Sequence, residues 1–427
     1  MRRRLFLGLD LGTSGVRSCV VDGEGSEVSS AQVSFPPSSE TEVDARQWWH
    51  SSKACLDQQI GALGSIGFSP LDIQSLAIDG TSGSMVLVDE KLDPVTPGLM
   101  YNSAGLDDEA AVIAQFAEEN SITRGANSGL ARLLRLQKLD LGERGRHLCH
   151  QADFVLAKLL GRAGISDDNN ALKTGFDPEV EAWPAWLPLC GVNTSLLPQV
   201  LRVGAAAGVI DPAVARAIGF SPELVLRTGT TDSIGAFLAS GAHHVGDAVT
   251  SLGTTLAIKL LSSRRIDDQK RGLYSHRLGQ RWLVGGASNT GGGVLLDHFN
   301  PAQMTALSAQ IDPSKASGLD YYPLSRPGER FPVNDPSLKP RLEPRAADDA
   351  RFLHGMLEGI ARIEAQAYAA LAELGAPAVK RIFTTGGGAQ NAVWTAIRQR
   401  IVSDRIEVAP SSQAAYGMAL LCRSAAT

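Results

Sequence analysis

One motif, in which a glycine-threonine turn joins two short strands, occurs twice in this 427-residue chain. The first copy, LGLDLGTSG, spans residues 7–15 and continues into the β-rich segment VRSCVVD at residues 16–22. The second copy, AVTSLGTTLAIKLL, spans residues 248–261. β-rich residues stand on both sides of each glycine turn, a pattern that predicts a hairpin. The repetition indicates two halves of related design.

The first turn carries groups that suit a phosphate site. Gly12 and Gly15 let the backbone approach a ligand closely, and the Thr13 and Ser14 hydroxyls can donate to phosphate oxygens together with backbone N–H groups. Asp10 cannot attract phosphate itself, but Mg²⁺ takes carboxylate, water and phosphate oxygens together. An ordinary glycine hairpin explains this turn, taken alone, equally well.

The second turn shifts that balance. Gly253, Thr254 and Thr255 would give a second set of donors on the other half of the chain, closing on the same triphosphate. The first turn does not lead into a helix, as a Rossmann fingerprint requires, and the GxxxxGK[ST] pattern of a P-loop is missing. The two turns together favour a phosphate site of another kind.

Composition limits the partners. The chain has 40 Lys and Arg against 45 Asp and Glu, a net charge of -5, so it offers no broad basic surface to nucleic acid or anionic lipid. Its five cysteines are scattered, which predicts neither a disulfide nor a zinc site, and we interpret its eight histidines as structural. Asp10 interrupts the apolar run that would resemble a secretory signal. We expect a soluble, cytoplasmic protein that binds small molecules.

Other segments alternate between strand and helix patterns, which predicts an α/β architecture. Residues 75–89 are expected to form strand, turn and strand, and residues 106–119 a helix. Apolar positions recur at helical spacing from Asp349 to Leu374, and Gly375 is a natural end for that helix. Residues 313–344 contain seven prolines and predict an ordered surface loop.

A turn with an acidic residue follows another strand pattern in LRTGTTDSIGAFLASG, residues 226–241. Asp232 is placed near the start of a helix, where aspartate is a favoured cap and needs no further role. The alternative is a general base that accepts a hydroxyl proton during phosphoryl transfer.

Glycine-rich junctions precede two further helix patterns, at residues 284–299 and 381–401. In the later junction, Gly387 and Gly388 can lie flat against a ligand. Asn391 and Trp394 share a helix face there, a platform for an adenine, although core packing explains Trp394 almost as well.

Set in this order, the motifs resemble the FGGY carbohydrate kinases of the sugar-kinase, actin and Hsp70 superfamily along nearly the whole chain. The resemblance implies that the two glycine-threonine turns are phosphate loops that bind ATP and Mg²⁺, through Gly12, Thr13, Ser14, Gly253 and Thr254. It implies an adenosine site at Gly387, Gly388, Asn391 and Trp394. The family's catalytic base is an aspartate in a Gly-x-x-Asp turn, which Gly229 to Asp232 matches, and residues 318–335 resemble its proline-rich GER segment.

The sugar pocket departs from the common family pattern. Xylulose and glycerol kinases usually carry a glutamine after the strand where this chain has IDGTSGS at residues 78–84, and their Trp-x-Asp-x-Arg is replaced by LMYNSAGLDDEA at residues 99–110. The Asp-Gly-Thr-Ser-Gly phrase is similar to a short D-ribulose or xylulose kinase-like subgroup of cyanobacteria and plants. The expected sugar contacts are Ser82, Asp79, Thr81 and Asn102, together with Asp10 and Asp232.

The resemblance implies two actin-like, ribonuclease H-like α/β domains flanking a deep ligand cleft. Residues 1–238 with a returning helix at 413–427 would bind the sugar, and residues 239–412 the nucleotide. Asp232 would act as catalytic base and as a second candidate metal contact, while Asp10 would organise Mg²⁺ through water. The expected reaction phosphorylates a terminal hydroxyl of a ketopentose, D-ribulose first, with low ATPase activity when no sugar is bound.

Three other functions stay open at this point. One is a kinase for D-xylulose or another small sugar or polyol. Another is a sensor of sugar or nucleotide that has lost turnover. The last is an actin-like or Hsp70-like ATPase with a protein partner, which sugar-independent ATP turnover would support.

Overall fold

The computed structural model describes residues 4–36, 41–403 and 405–426. They form two compact units. The first unit runs to Ala239 and takes in the chain again from Gln413, and the second runs from Ser240 to Ser412. The outermost predicted domain limits, residues 1 and 427, lie outside the described residues. Within that part of the chain, no helix combines the length and apolar character that a membrane span requires.

The regular elements up to residue 239 are, in chain order, β1 Leu5–Leu11, β2 Gly15–Val21, β3 Glu27–Ser34, β4 Glu42–Val43, α1 Arg46–Ser65, β5 Ile73–Gly80, β6 Met85–Val88, β7 Gly98–Leu99, α2 Asp107–Ile113, α3 Gly129–Leu139, β8 His147–His150, α4 Gln151–Leu160, β9 Ile165–Asp167, α5 Asp168–Leu172, β10 Gln199–Leu201, β11 Ala206–Val209, α6 Pro212–Ile218, β12 Val225–Arg227 and α7 Asp232–Ala239.

The elements that follow are β13 Asp247–Leu252, β14 Leu256–Ser262, β15 Tyr274–Leu278, β16 Arg281–Ala287, α8 Gly292–Leu296, α9 Pro301–Ser308, α10 Asp349–Glu373, β17 Arg381–Thr385, α11 Ala392–Ile401, β18 Ile406–Val408 and α12 Ala414–Ser424. Helix α12 belongs to the first unit.

Each unit is built on a six-stranded mixed sheet. In the first unit the strand order is β11-β12-β5-β1-β2-β3, where β1, β2 and β3 are antiparallel neighbours and β5 and β12 run parallel to β1. In the second unit the order is β15-β16-β14-β13-β17-β18, where β13, β14 and β16 are antiparallel and β17 and β18 run parallel to β13. The same arrangement of three antiparallel and two parallel strands confirms the prediction of two halves of related design.

Helices cover both faces of the first sheet. They are required because successive side chains of a strand point to opposite faces, and every residue of β1 is buried. Leu5, Leu7 and Leu9 are buried in a core that includes Trp48 of α1 and Phe154 of α4. On the opposite face, the alternate residues of β1 face α12, and Phe6 packs in one cluster with Met418 and Cys422. Asp10 is four residues after Phe6 on the same strand, so its side chain lies on the same face of the sheet, the face that α12 covers.

Most predicted elements are confirmed. Both hairpins form, and α10 spans Asp349–Glu373, with Gly375 at a left-handed φ of +83° just beyond its end. Strand, turn and strand at residues 75–89 also form, but β5 joins the six-stranded sheet while β6 joins a separate four-stranded sheet, β4-β7-β6-β8.

Two predicted segments differ in detail. The helix expected over residues 106–119 is regular only over Asp107–Ile113, and Phe116 beyond it is 38% exposed, so the later apolar residues do not bury a continuous helix face. The proline-rich stretch at residues 313–344 forms no helix or strand, as predicted, but it is not entirely superficial. Tyr321 and Phe331 are buried, which anchors the loop to the second unit.

Candidate functional site

Three neighbouring parallel strands of the first unit, β1, β5 and β12, end at one edge of the sheet, and polar residues occur at each end. Ligands of α/β sheets bind at the carboxyl ends of parallel strands. We define the carboxyl-edge site as Asp10 on β1, Asp79 at the end of β5, Thr81 and Ser82 in the turn after it, and Asp232 after β12. These are the carboxylates and hydroxyls that the sequence predicts for the sugar, apart from Asn102.

Asp10 and Asp79 are direct register partners on β1 and β5, so both carboxyl groups stand on the face that α7 and α12 cover. Both are buried, Asp79 completely. Arg17 Nη1 lies 3.5 Å from Asp10 Oδ2. Asp79 Oδ2 lies 2.7 Å from where a Cβ on Gly235 of α7 would stand, so any side chain there would displace the carboxyl group. The described residues offer no donor to Asp10 Oδ1 or to either oxygen of Asp79.

The proximity of these acids changes their proton affinity. Burial raises the pKa of Asp10, against the lowering effects of the neighbouring Asp79 side chain and of the Arg17 charge. Burial raises the pKa of Asp79 well above its ordinary value, and the charges of Asp10 and Asp232 raise it further. Asp79 therefore holds a proton more tightly than an ordinary aspartate, and the pair carries one negative charge more readily than two.

Asp232 is the first residue of α7, as the sequence predicts. It is half-buried, and its Oδ1 accepts a hydrogen bond of 2.6 Å from the Ser233 backbone N–H. Thr230 and Thr231 before it are fully buried, and an isolated bridge pairs Thr231 with Gly80 at the end of β5. The positive end of the helix favours the ionised carboxylate. This geometry suits a general base, and it equally places the residue as the start of the helix.

A polar cluster beside this site is missing from the sequence predictions. Asn169 Nδ2 donates to Thr230 Oγ1 (3.0 Å), and Asn170 Nδ2 donates to the Thr230 carbonyl (3.2 Å) and to Asp167 Oδ2 (2.6 Å). Burial raises the pKa of Asp167 to about 6, although the Asn170 hydrogen bonds oppose it. The run SDDNN at residues 166–170, which begins in the short strand β9, was the available signal, since five buried polar residues in succession need specific partners.

The turn after β5 is held by a fourth unpredicted residue, Gln151, the first residue of α4. Its Oε1 accepts from the Thr81 backbone N–H (2.9 Å) and from the Thr81 hydroxyl (2.7 Å). Ser82 lies in this turn, and its buried Oγ has no partner among the described residues. Asn102 is exposed, one residue beyond Tyr101, whose backbone N–H donates to Ser84 Oγ.

Both glycine-threonine turns present their hydroxyls to solvent. Thr13 and Ser14 are exposed between β1 and β2, where the Gly12 N–H donates to the Gly15 carbonyl (2.9 Å). Thr254 is likewise exposed between β13 and β14, and Gly253 is half-buried beside it. The two turns are thus alike in structure as well as in sequence.

A cavity of about 650 Å³ lies entirely within the second unit. Gly253 and Thr254 line one part of it, and Gly387, Gly388 and Asn391 line another. Its remaining wall is largely apolar and includes Leu252, Leu295, Leu296, Pro301, Met304 and Trp394. A mainly apolar cavity of this size with a few polar groups is typical of a small-molecule site. We call it the nucleotide cavity, because the sequence predicts the nucleotide site at its glycine-rich turns.

Asn391 and Trp394 lie at this cavity but also have structural roles. Asn391 Oδ1 caps α11 by accepting from the Trp394 backbone N–H (3.0 Å), and its Nδ2 donates to Ser308 Oγ (3.0 Å). Trp394 is only 2% exposed and packs in the core beside α10. A Cβ on Gly388 would stand 2.6 Å from its ring, so glycine is required for the turn to lie flat on the indole.

The GER segment reaches the second glycine-threonine turn through a hydrogen-bonded chain. Buried Glu329 accepts from Ser288 Oγ (2.6 Å) and from the Asn289 backbone N–H (2.7 Å). The same junction continues to α8, where the Gly292 N–H donates to the Gly253 carbonyl (2.8 Å). The proline-rich loop therefore supports the shape of the turn that lines the nucleotide cavity.

One group of side chains in the described residues has the composition of a metal site: His243, His244 and Asp247 lie within ligating distance of one another. The Asp247 carboxylate, however, is held by a two-point ion pair with Arg381 (3.1 and 2.8 Å) and by two backbone N–H groups. The guanidinium supplies the positive charge that a metal would bring.

Comparisons with known proteins agree with the fold and with the order of the motifs. The chain is 23% identical to the xylulose kinase of Staphylococcus xylosus, over 97% of this chain and 89% of that protein. It is 21% identical to the gluconokinase of Bacillus subtilis (strain 168), over 95% and 84%. The crystal structure of xylulose kinase from Rhodospirillum rubrum superposes with a TM-score of 0.86 at 21% identity, covering 99% of this chain and 90% of that one.

The two named relatives and the superposed structure are all carbohydrate kinases, a class whose fold has two actin-like units and whose phosphate donor is ATP. Residues 5–132 match the N-terminal domain of the FGGY family of carbohydrate kinases, and residues 248–426 match its C-terminal domain. The chain therefore belongs to the FGGY family of carbohydrate kinases, as the motif order predicts.

Proposed function

We propose that this carbohydrate kinase transfers the γ-phosphate of ATP to the terminal hydroxyl of a ketopentose, and that the ketopentose is D-ribulose. The observation that carries the proposal is the convergence of Asp10, Asp79 and Asp232 on the ends of neighbouring parallel strands. Carboxylates and hydroxyls at one sheet edge suit a ligand rich in hydroxyl groups. The nucleotide cavity of the second unit would bind ATP, the other substrate.

The choice of D-ribulose rests on the turn after β5. The relatives' names include xylulose kinase and gluconokinase. Residues 79–83, Asp-Gly-Thr-Ser-Gly, instead resemble the short D-ribulose or xylulose kinase-like subgroup. D-xylulose is the alternative substrate, since it differs from D-ribulose only at one carbinol centre.

In the proposed mechanism, Asp232 accepts the proton of the terminal hydroxyl while that oxygen attacks the γ-phosphorus. The bond between γ-phosphorus and the bridging oxygen breaks, and ADP leaves. The exposed hydroxyls of Thr13, Ser14 and Thr254, with the backbone N–H groups of their turns, donate to the phosphoryl oxygens as charge develops. The raised pKa of Asp79 limits the negative charge beside Asp232.

The residues at Asp10 fit a Mg²⁺ ion held through water. Asp10 Oδ1 is buried and has no donor among the described residues, so a hydrated cation would satisfy it. Asp232 would be a second candidate carboxylate for the same ion. When bound, Mg²⁺ neutralises phosphate charge. Asp10 would orient the ion's water ligands, and the charge of Arg17 would oppose the effect of burial on the pKa of Asp10.

ADP release from Mg·ATP by the purified protein tests the proposal, with D-ribulose, D-xylulose, L-ribulose, gluconate, glycerol and no sugar compared side by side. We expect D-ribulose to raise the rate at least a hundredfold over the rate without sugar. Asp232→Asn should abolish the stimulation. Asp211→Asn is the matched control, because Asp211 also caps a helix of the first unit, α6, but lies outside the site.

The outcomes separate the competing functions. Stimulation by another sugar alone would refute D-ribulose and keep the kinase. ADP release that no sugar changes would favour an ATPase with a protein partner. Binding of sugar and nucleotide without turnover would favour a sensor.

A further inference from the structure

The hydrogen bonds around Gln151 fix the orientation of its side-chain amide. The Thr81 backbone N–H can only donate, so the group that faces it at 2.9 Å has to be the Gln151 oxygen. The Thr81 hydroxyl donates to the same oxygen at 2.7 Å. The amide NH₂ of Gln151 therefore points away from Thr81, without the usual ambiguity between oxygen and nitrogen.

The remaining hydroxyl protons in the turn can also be assigned. Because the Thr81 hydroxyl donates to Gln151, the contact of 2.6 Å between Thr81 Oγ1 and Ser84 Oγ makes Ser84 the donor. Ser84 Oγ in turn accepts from the Tyr101 backbone N–H (2.9 Å). Finally, the Gln151 backbone N–H donates to the Ser84 carbonyl (2.9 Å). The turn from Thr81 to Ser84 is thus fixed to the start of α4 at both ends.

One part of this network is incomplete. Gln151 is fully buried, and its Nε2 has no acceptor among the described residues. The Ser82 hydroxyl, in the turn that Gln151 holds, is also buried and lacks a partner, as does the Thr231 hydroxyl next to the catalytic aspartate. Buried polar groups are nearly always hydrogen-bonded in proteins. Unpaired donors at a strand-end site therefore point to a ligand with oxygen acceptors.

We propose that Gln151 is a specificity-determining residue, whose Oε1 holds the Thr81–Ser84 turn and whose amide NH₂ donates to an oxygen of the bound sugar. This inference rests on the proposed function, because it assumes that the carboxyl-edge site holds the sugar. The chemistry required of the ligand is a hydroxyl or carbonyl oxygen near the Ser82 hydroxyl. It also gives the site a side-chain amide although residues 78–84 lack the glutamine expected there from the resemblance.

Two substitutions separate the two roles of the side chain. Gln151→Glu keeps the size and an oxygen for the Thr81 N–H but removes the NH₂ donor, whereas Gln151→Met removes both. Gln137→Met is the control, since the Gln137 side chain likewise holds a backbone N–H, that of Asn193, and donates to the Gly191 carbonyl, but it lies outside the site. KM for sugar and for ATP would be measured for each protein with whichever sugar the native protein phosphorylates best.

We expect Gln151→Glu and Gln151→Met each to raise the KM for sugar at least tenfold, with the KM for ATP changed less than twofold and Gln137→Met like the native protein. Native sugar affinity in Gln151→Glu would overturn the donor role. A loss of affinity in Gln151→Met alone would also overturn it and leave only the positioning of the turn. If D-ribulose is not the sugar phosphorylated, the proposed substrate fails while this comparison stands.

Sugar analogues that each lack one oxygen give a readout that a purely structural role would not produce. Removal of the oxygen that accepts from Gln151 should weaken binding to the native protein about tenfold and leave the already weakened binding to Gln151→Glu unchanged. The other analogues should weaken binding to both proteins equally. Equal losses for every analogue in both proteins would overturn the proposal.

Discussion

A buried ion pair in the second unit gives the most quantitative prediction. Arg398 of α11 and Glu364 of α10 are both fully buried, and the guanidinium donates to the two carboxylate oxygens at 2.6 and 2.7 Å. Arg398 also donates to Thr384 of β17 (2.8 Å), and Thr250 of β13 donates to Glu364 (2.5 Å). The pair therefore joins two helices to the two strands that lead into the turns of the nucleotide cavity.

Arg398→Met should destabilise the second unit strongly. The substitution leaves the Glu364 carboxylate buried with one hydroxyl donor in place of three polar contacts. Removal of one partner of a buried ion pair costs about 3–5 kcal/mol, because the other charge stays uncompensated in a medium of low polarity. Glu364→Gln should cost less than Arg398→Met, since the amide oxygen still accepts from Arg398. The double variant Arg398→Met/Glu364→Met should recover at least half of the loss, because no buried charge remains.

Urea unfolding followed by tryptophan fluorescence measures these differences, and the two units can unfold in separate steps. Trp394 lies one helical turn before Arg398 in α11, so its emission reports on the affected region. Arg202→Met is the control, because Arg202 pairs with Glu181 at the surface, where an ion pair contributes about 0–1 kcal/mol. The reasoning fails if Arg398→Met costs less than 1 kcal/mol, or if the double variant is no more stable than Arg398→Met.

Three further predictions concern one residue each. Glu329→Gln should raise the KM for ATP about tenfold in steady-state kinetics and leave the KM for sugar unchanged. The reason is that a single amide oxygen cannot accept from all the donors around Glu329. Equal changes in both constants would contradict a local role. Gly229→Ala should lower the free energy of unfolding by about 3 kcal/mol, since the new Cβ would stand 1.8 Å from a β5 carbonyl oxygen. As a control, Gly61→Ala in open space on α1 should stabilise the protein by about 0.5–1 kcal/mol. Similar urea midpoints for the two variants would refute this. Burial alone would raise the pKa of Asp247, but hydrogen bonds with Arg381 and the backbone lower this pKa to about 2, below the ordinary value of 3.8. The stabilisation of the fold by the ionised carboxylate is therefore fully present above pH 4 and is lost as the pH falls towards 2. Asp247→Asn should therefore cost about 2 kcal/mol at pH 7 and progressively less below pH 4 in urea unfolding, and a cost that does not change with pH would count against the ion pair.

The sequence predicts those parts of the fold that local patterns determine. Both hairpins, α10 and the strand-to-helix junctions before α7 and α11 follow from short-range apolar spacing and glycine placement. The sheet that a strand joins is a different matter. β5 and β6 are separated by four residues, yet they enter different sheets, because tertiary packing and not the intervening turn selects each partner.

The same limit applies to the candidate site. Asp10, Asp79 and Asp232 are predicted because each stands beside a recognisable strand or turn pattern, and the resemblance supplies their proposed roles. Gln151 and Asn169 are missed because their importance lies in contacts with residues about 60 to 70 positions away, Thr81 and Thr230 respectively. A buried polar side chain can be recognised as unpaired only when its surroundings in three dimensions are known.

The most direct test of the central claim is a ³¹P NMR spectrum of the products formed from Mg·ATP and D-ribulose. The account predicts one sugar phosphate ester for each ADP, with the phosphorus coupled to the protons of the terminal C5 methylene group, and no free phosphate above the background without enzyme. Free phosphate in place of a sugar ester would contradict it, since water and not a sugar hydroxyl would then be the acceptor.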